Sequence, residues 1–75
     1  MAVKAKATKD RVYKQIELVG TSTTGFEAAV ENAIRRAGET LANLRWFQVR
    51  ELRGALSEEG VLEYQAIVII AFEVR

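Results

Sequence analysis

Leu44-Arg45-Trp46-Phe47-Gln48-Val49-Arg50-Glu51-Leu52-Arg53-Gly54 is the stretch on which the fold turns. Its alternation reads as an extended strand. One set of side chains is Phe47 and Val49, then Glu51 and Arg53. The other is Trp46, Gln48, Arg50 and Leu52. Both sets begin apolar and turn polar. A strand of a small antiparallel sheet usually keeps one face wet. Here the single Trp lies opposite Phe47 and Val49, so both faces ask for cover.

On the C-terminal side, Ala55 to Gly60 reads as a hairpin loop, with Gly60 available for positive φ. The run from Val61 to Arg75 reads as a long strand. Tyr64, Ala66, Val68, Ile70, Phe72 and Val74 form its even set. Glu63, Gln65, Ile67, Ile69, Ala71 and Glu73 form its odd set. Its middle is apolar on both faces, which implies cover on both sides.

On the N-terminal side, the spacing predicts a helix starting near Thr24. Thr24-Gly25-Phe26-Glu27 has the spacing of a capping box. Phe26, Val30, Ala33, Ile34, Ala37, Leu41 and Leu44 make its apolar stripe, with Glu31, Arg35, Arg36 and Glu39 on the wet side. Gly38 is read as a position where a neighbouring backbone comes close, and Ala42-Asn43 as the exit. Arg11 to Val19 reads as a first strand, with Val12, Ile16 and Leu18 on one side. Gly20 to Gly25 is a hydroxyl-rich turn into the helix. Residues 1–10 form a mildly basic tail carrying Lys4, Lys6 and Lys9, expected to be flexible, and 11–75 form one domain.

The expected class is therefore α+β, with order β-α-β-β: a three-stranded antiparallel sheet with one helix packed on one face. Phe47 and Val49 join Ile16, Leu18, Val68, Ile70 and Phe72 under the helix. Val19, Trp46, Gln48, Leu52, Gln65, Ile67 and Ile69 line the other face. One helix covers one face, so the second is an oligomer interface, a ligand surface, or both.

Composition points the same way. A chain of 75 residues buries only a modest share of its surface, and one without Cys or His has neither disulfides nor a zinc site to brace it. Yet 49% of the residues are hydrophobic, material that oligomerisation would bury. The absence of Cys fits a reducing compartment, and a cytoplasmic protein is expected. The N-terminus lacks an apolar signal core, and no run approaches the ~20 apolar residues of a membrane span. A net charge of +1, with acidic residues interleaved among Arg35, Arg36, Arg45, Arg50 and Arg53, argues against nucleic acid.

Catalytic chemistry has little to stand on. Without His or Cys, the usual nucleophile–base pairs are excluded. Ser22 and Ser57 read as turn or cap residues, and Glu58-Glu59 as a solvated hairpin tip. Gly20 to Gly25 lacks the Lys of a P-loop. Trp46 and Gln65 remain, both on the helix-free face by parity. A flat ring beside an amide suits a planar heteroaromatic ligand. The ordinary alternatives are a core or interfacial Trp and a tolerated Gln, and spacing does not choose between them.

The segments Val12-Tyr13-Lys14, Glu17-Leu18-Val19-Gly20-Thr21-Ser22, Leu44-Arg45-Trp46-Phe47, Glu51-Leu52-Arg53-Gly54 and Glu63-Tyr64-Gln65 resemble, in order and spacing, those of the dodecins, small flavin-binding proteins. The resemblance covers about Val12 to Val74. It implies a hollow homododecamer with flavins bound in pairs between subunits. It implies that Trp46 stacks on the isoalloxazine ring and that Gln65 hydrogen-bonds its polar edge. Arg45, adjoining the stacking residue, is the partner expected for an FMN phosphate. It further implies a non-enzymatic flavin store in which stacking quenches the excited flavin. FMN is the expected ligand, riboflavin the variant, and coenzyme A a second ligand of some members, with no position assigned to it here. The alternative is a structural shell, or a coenzyme A carrier, that has lost flavin. The chain departs from the family pattern at its N-terminal extension, at Gln15 and in the Ile-rich run from Ile67 to Ile70.

Overall fold

The computed structural model describes residues 10–75. Of the expected basic tail over residues 1–10, all but Asp10 lies outside the described residues. Four elements follow: β1 (Val12–Ser22), α1 (Phe26–Thr40), β2 (Leu44–Leu56) and β3 (Leu62–Val74). The class and element order are those read from the sequence. The strands make one antiparallel sheet in the order β1-β3-β2. The last and most apolar strand is therefore central, which explains why both of its faces are apolar.

Along β1, Lys14, Ile16 and Leu18 stand opposite Phe72, Ile70 and Val68. These share the face on which the helix lies. The core is built from Ala29, Ala33 and Ala37 of α1 against Ala66, Val68 and Ile70 of β3, flanked by Ile16, Leu18, Val30, Ile34, Leu41 and Leu44. Small helix residues let α1 come very close to the sheet. The close approach expected at Gly38 is absent, since a Cβ there would meet nothing nearer than Leu44 Cδ1 at 3.9 Å. It occurs instead at Gly20, where a Cβ would lie 2.0 Å from the carbonyl oxygen of Ala29. Because β1 runs on through Gly20-Thr21-Ser22, that segment belongs to the strand and not to the turn.

The helix starts one residue later than the capping-box spacing predicts. Gly25 is its N-cap, with no side-chain cap bond. The Thr24 hydroxyl instead lies 2.9 Å from Ser22 Oγ, which also accepts the Thr24 backbone N–H at 3.0 Å. The buried stripe is Ala29, Ala33 and Ala37, of which the spacing argument passed over Ala29. Phe26 sits at the rim, packed edge-on against Tyr64 at 4.9 Å. Leu41 closes the helix, and Asn43 takes positive φ at 64° before β2. At the hairpin, the Ser57 N–H donates to the Val61 carbonyl, and Gly60 has φ 82° as expected.

Two expectations about β2 fail, for separate reasons. First, Phe47 and Val49 stand opposite Ile70 and Val68, on the helix side, yet remain 51% and 39% exposed. The helix lies mainly over β1 and β3 and leaves the outer strand uncovered. Second, the strand does not keep one period. Its register against β3 shifts between Leu44 and Trp46 and again between Val49 and Glu51. Each shift is a bulge, with Arg45 and Arg50 as the extra residues. Beyond Arg50 the faces exchange. Leu52 stands opposite Ala66 on the helix side, while Glu51 and Arg53 stand opposite Ile67 and Gln65 on the Trp46 side. Simple alternation gives the reverse.

Candidate functional site

The helix-free face is the candidate site. Across it run Tyr13, Gln15, Glu17, Val19 and Thr21 of β1, then Gln65, Ile67, Ile69, Ala71 and Glu73 of β3. From β2 come Trp46, Gln48, Glu51 and Arg53. Trp46 stands opposite Ala71, whose small side chain leaves room above the central strand. Tyr13 reaches over from β1 to fill it, with ring centroids 4.8 Å apart and planes at 60°. Such an edge contact is a favoured aromatic geometry. After it forms, Trp46 is still 44% exposed.

Beside this pair lies Glu73, only 7% exposed on a face with no helix over it. Its Oε1 accepts from Arg45 Nη2 at 2.7 Å and its Oε2 from Arg11 Nη1 at 3.0 Å. Arg75 Nη2 is 3.5 Å from Oε1. The Arg45 hydrogen bond, aided by Arg11 and Arg75 and opposed by burial, holds the Glu73 carboxyl below the usual carboxylate range. Arg45 is thus engaged within its own chain. Its fork has five N–H donors, so further ones remain for a ligand anion.

Gln65 sits at the far end. Its Oε1 accepts from Arg53 Nε at 2.7 Å, and its Nε2 donates to Glu63 Oε1 at 2.8 Å. The positions opposite Trp46 and Arg53 on β3 are Ala71 and Gln65, six residues apart. At about 3.3 Å per residue that is roughly 20 Å. The structure puts Trp46 and Gln65 on one face and does not bring them together. Midway, Arg50 and Glu17 join the two outer strands across β3 through an ion pair of 2.6 Å.

Two concavities touch this region without forming a complete pocket. A cleft of about 160 Å³ is lined by Ile34, Leu44, Arg45, Trp46, Phe47 and Ile70. That is below the ~300 Å³ at which small-molecule pockets begin. A groove of about 400 Å³ lies between β1 and α1, lined by residues including Thr21, Asn32, Arg35 and Arg36. It contains neither Trp46 nor Gln65.

The dodecin family profile matches residues 12–75. The chain belongs to the dodecin family. A dodecin of Thermus thermophilus is 50% identical over 65 residues, which span 87% of this chain and 94% of that protein. The calcium dodecin of Mycobacterium tuberculosis is 33% identical over 64 residues, or 85% of this chain and 90% of that one. Among solved structures, the dodecin of Streptomyces coelicolor superposes with a TM-score of 0.83 at 35% identity, covering 91% of this chain and 97% of that one. A Thermus thermophilus structure gives 0.80 at 48% identity, covering 88% and 97%. The β-α-β-β protomer is thus a dodecin protomer. No helix among the described residues is long and apolar enough to cross a membrane.

Glu73 was not singled out by sequence reasoning. The signal was a lone carboxylate between Phe72 and Val74 in the most apolar strand, where an ionised group needs partners. Tyr13 carried no such signal.

Proposed function

We propose that this chain binds flavin at sites between subunits of a hollow homododecamer, as a non-enzymatic store that also shields its ligand from light. The observation that carries the reading is the Trp46 platform: an indole still 44% exposed, braced by Tyr13, on the sheet face that has no helix over it. Membership in the dodecin family supports it.

The spacing of Trp46 and Gln65 favours a shared pocket. Since they lie about 20 Å apart in one chain by strand geometry, a single planar ligand stacked on Trp46 takes its Gln65 contact from a second copy. The exposed Phe47, Val49 and Leu52 on the other side of β2 are apolar area for the same assembly to bury. The stacked indole donates an electron to the excited flavin and recovers it on return to the ground state, which is the shielding. Arg45, flanked by Arg11 and Arg75, gives the Trp46 end a local excess of positive charge. That favours FMN, with its phosphate, over riboflavin. Coenzyme A, another phosphorylated ligand, is the competitor to test in the same assay. The expected site of action is the cytoplasm, where FMN is at hand.

Native mass spectrometry is expected to give twelve subunits with flavin attached. Flavin fluorescence should fall on titration into the protein. Trp46→Ala is expected to weaken binding by roughly tenfold to a hundredfold, since base stacking on an aromatic side chain is worth ~1–3 kcal/mol. Unaltered flavin affinity in Trp46→Ala would remove Trp46 from the site. A dodecamer that takes up no flavin would leave the shell or the coenzyme A carrier.

A further inference from the structure

The carboxylate of Glu73 is not used by the flavin reading, yet it gathers more ties than any other side chain of the uncovered face. Its oxygens hold Arg45 at 2.7 Å and Arg11 at 3.0 Å, with Arg75 at 3.5 Å. Its backbone N–H donates to the Asn43 carbonyl at 3.0 Å. Asn43 has φ 64°, and the bulge residue Arg45 follows two positions later. The far ends of these ties are informative. Arg45 directly precedes Trp46, and Arg11 stands two residues before Tyr13, the residue opposite Glu73 itself. The two aromatic rings meet at 4.8 Å above the same strand.

We propose that Glu73 is a positioning residue for the Trp46 platform: by holding Arg45 and Arg11 together across the central strand, it fixes the bulge that aims the indole and closes Tyr13 against it. A bulge re-aims side chains but leaves the extra residue unpaired in the ladder, so something else must choose its direction. Here the choice is made by a charge-assisted hydrogen bond to a carboxylate that is almost wholly covered. Without that anion, Arg11, Arg45 and Arg75 are three like charges around a neutral group. They separate toward water, and the restraint on both ring-bearing segments goes with them. The inference deepens the flavin reading, on which its effect on affinity rests. Its effect on the indole does not need a ligand.

That independence makes the test clean. Trp46 is the single Trp of the chain, so the Trp band of the near-ultraviolet circular dichroism spectrum reports its surroundings in ligand-free protein. Glu73→Gln is expected to lose most of that band while far-ultraviolet ellipticity is retained. It should also weaken FMN binding by roughly tenfold, the scale of one hydrogen bond to a charged group. The reversed set, Arg11→Glu and Arg45→Glu with Glu73→Arg, should restore the band that Glu73→Arg alone removes. A side chain that merely fills space would give no such rescue. An unchanged Trp band in Glu73→Gln overturns the inference, whatever the flavin titration gives. Should Glu73→Gln not fold, the reversed set decides: a restored band supports the pairing role, and an absent band overturns it. If wild-type protein binds no flavin while Glu73→Gln loses the band, the positioning role stands and the flavin reading falls.

Discussion

The two faces of this sheet are held by different physics. Toward the helix, the contact is one of shape. Ala29, Ala33 and Ala37 sit flat on Ala66, Val68 and Ile70, and Gly20 lets the helix backbone touch the strand. Polar side chains play little part there. On the other face, charge and ring geometry do the holding. Arg11, Arg45 and Arg75 surround Glu73, Arg50 meets Glu17, and Tyr13 abuts Trp46. The shape-held face is closed within one chain over β1 and β3, and only β2 is left uncovered there. The charge-held face is half open, and its ties restrain groups that remain available to a ligand. One face should therefore fail by steric insult, and the other by change of pH or charge.

The largest effect is expected at Gly20. Any Cβ there collides with the Ala29 carbonyl at 2.0 Å, a backbone atom that cannot swing away. Gly20→Val should therefore cost at least ~3 kcal/mol, the upper range for overpacked sites, read as a lower urea midpoint and a loss of assembly. A variant with wild-type stability would mean that the helix stands off further than described.

Acid is the gentler probe, and it acts on the opposite face. The Glu73 carboxyl titrates below its ordinary value of 4.5 because Arg45 and Arg11 favour its ionised form. A group depressed in this way stabilises the fold fully above its unfolded value. That contribution is lost as pH falls through the folded value. Stability and the Trp46 dichroism are thus expected to hold above about pH 4.5 and to decline together below it. In Glu73→Gln the decline should be flatter, because the titrating group is gone. Equal acid sensitivity in both proteins would place the response elsewhere.

The smallest effect is expected at Arg50→Ala. Its pair with Glu17 is short at 2.6 Å, but both side chains are well exposed. Water and salt screen such pairs, so the loss should be below ~1 kcal/mol and smaller still at high salt. A larger loss would show that the Arg50 bulge, and not only its charge, depends on this pair.

Much of the fold was legible because it rests on short-range rules. Element order, the Gly60 turn and the face of Trp46 follow from periodicity and φ preference. The bulges at Arg45 and Arg50 did not show, because one extra residue leaves no mark in an alternation that is already half polar. The rest of β2 after Arg50 was accordingly assigned to the wrong face, Leu52, Glu51 and Arg53 included. Phe47 and Val49 were assigned a cover they lack, since apolarity does not say whether cover comes from the same chain. Within the candidate site, Trp46 and Gln65 could be named from the sequence, but not their separation. That depends on register, a property of strand pairs and not of either strand. Arg45 was named without its partner, because Glu73 is 28 residues away in sequence.

The central position of β3 has a consequence for how the protein comes into being. Both neighbours, β1 and β2, pair only with β3, which follows them in the chain. Closing Val12 against Val74 spans 62 residues (74 − 12). As the polypeptide emerges, two long strands and a helix of small residues wait with no ladder to join. Nothing resembling the finished sheet exists until the final strand threads between them. Contacts so distant in sequence make for slow folding. In that interval the unpaired edges of many nascent copies face one another, and the step that builds a subunit competes with the one that would tangle it.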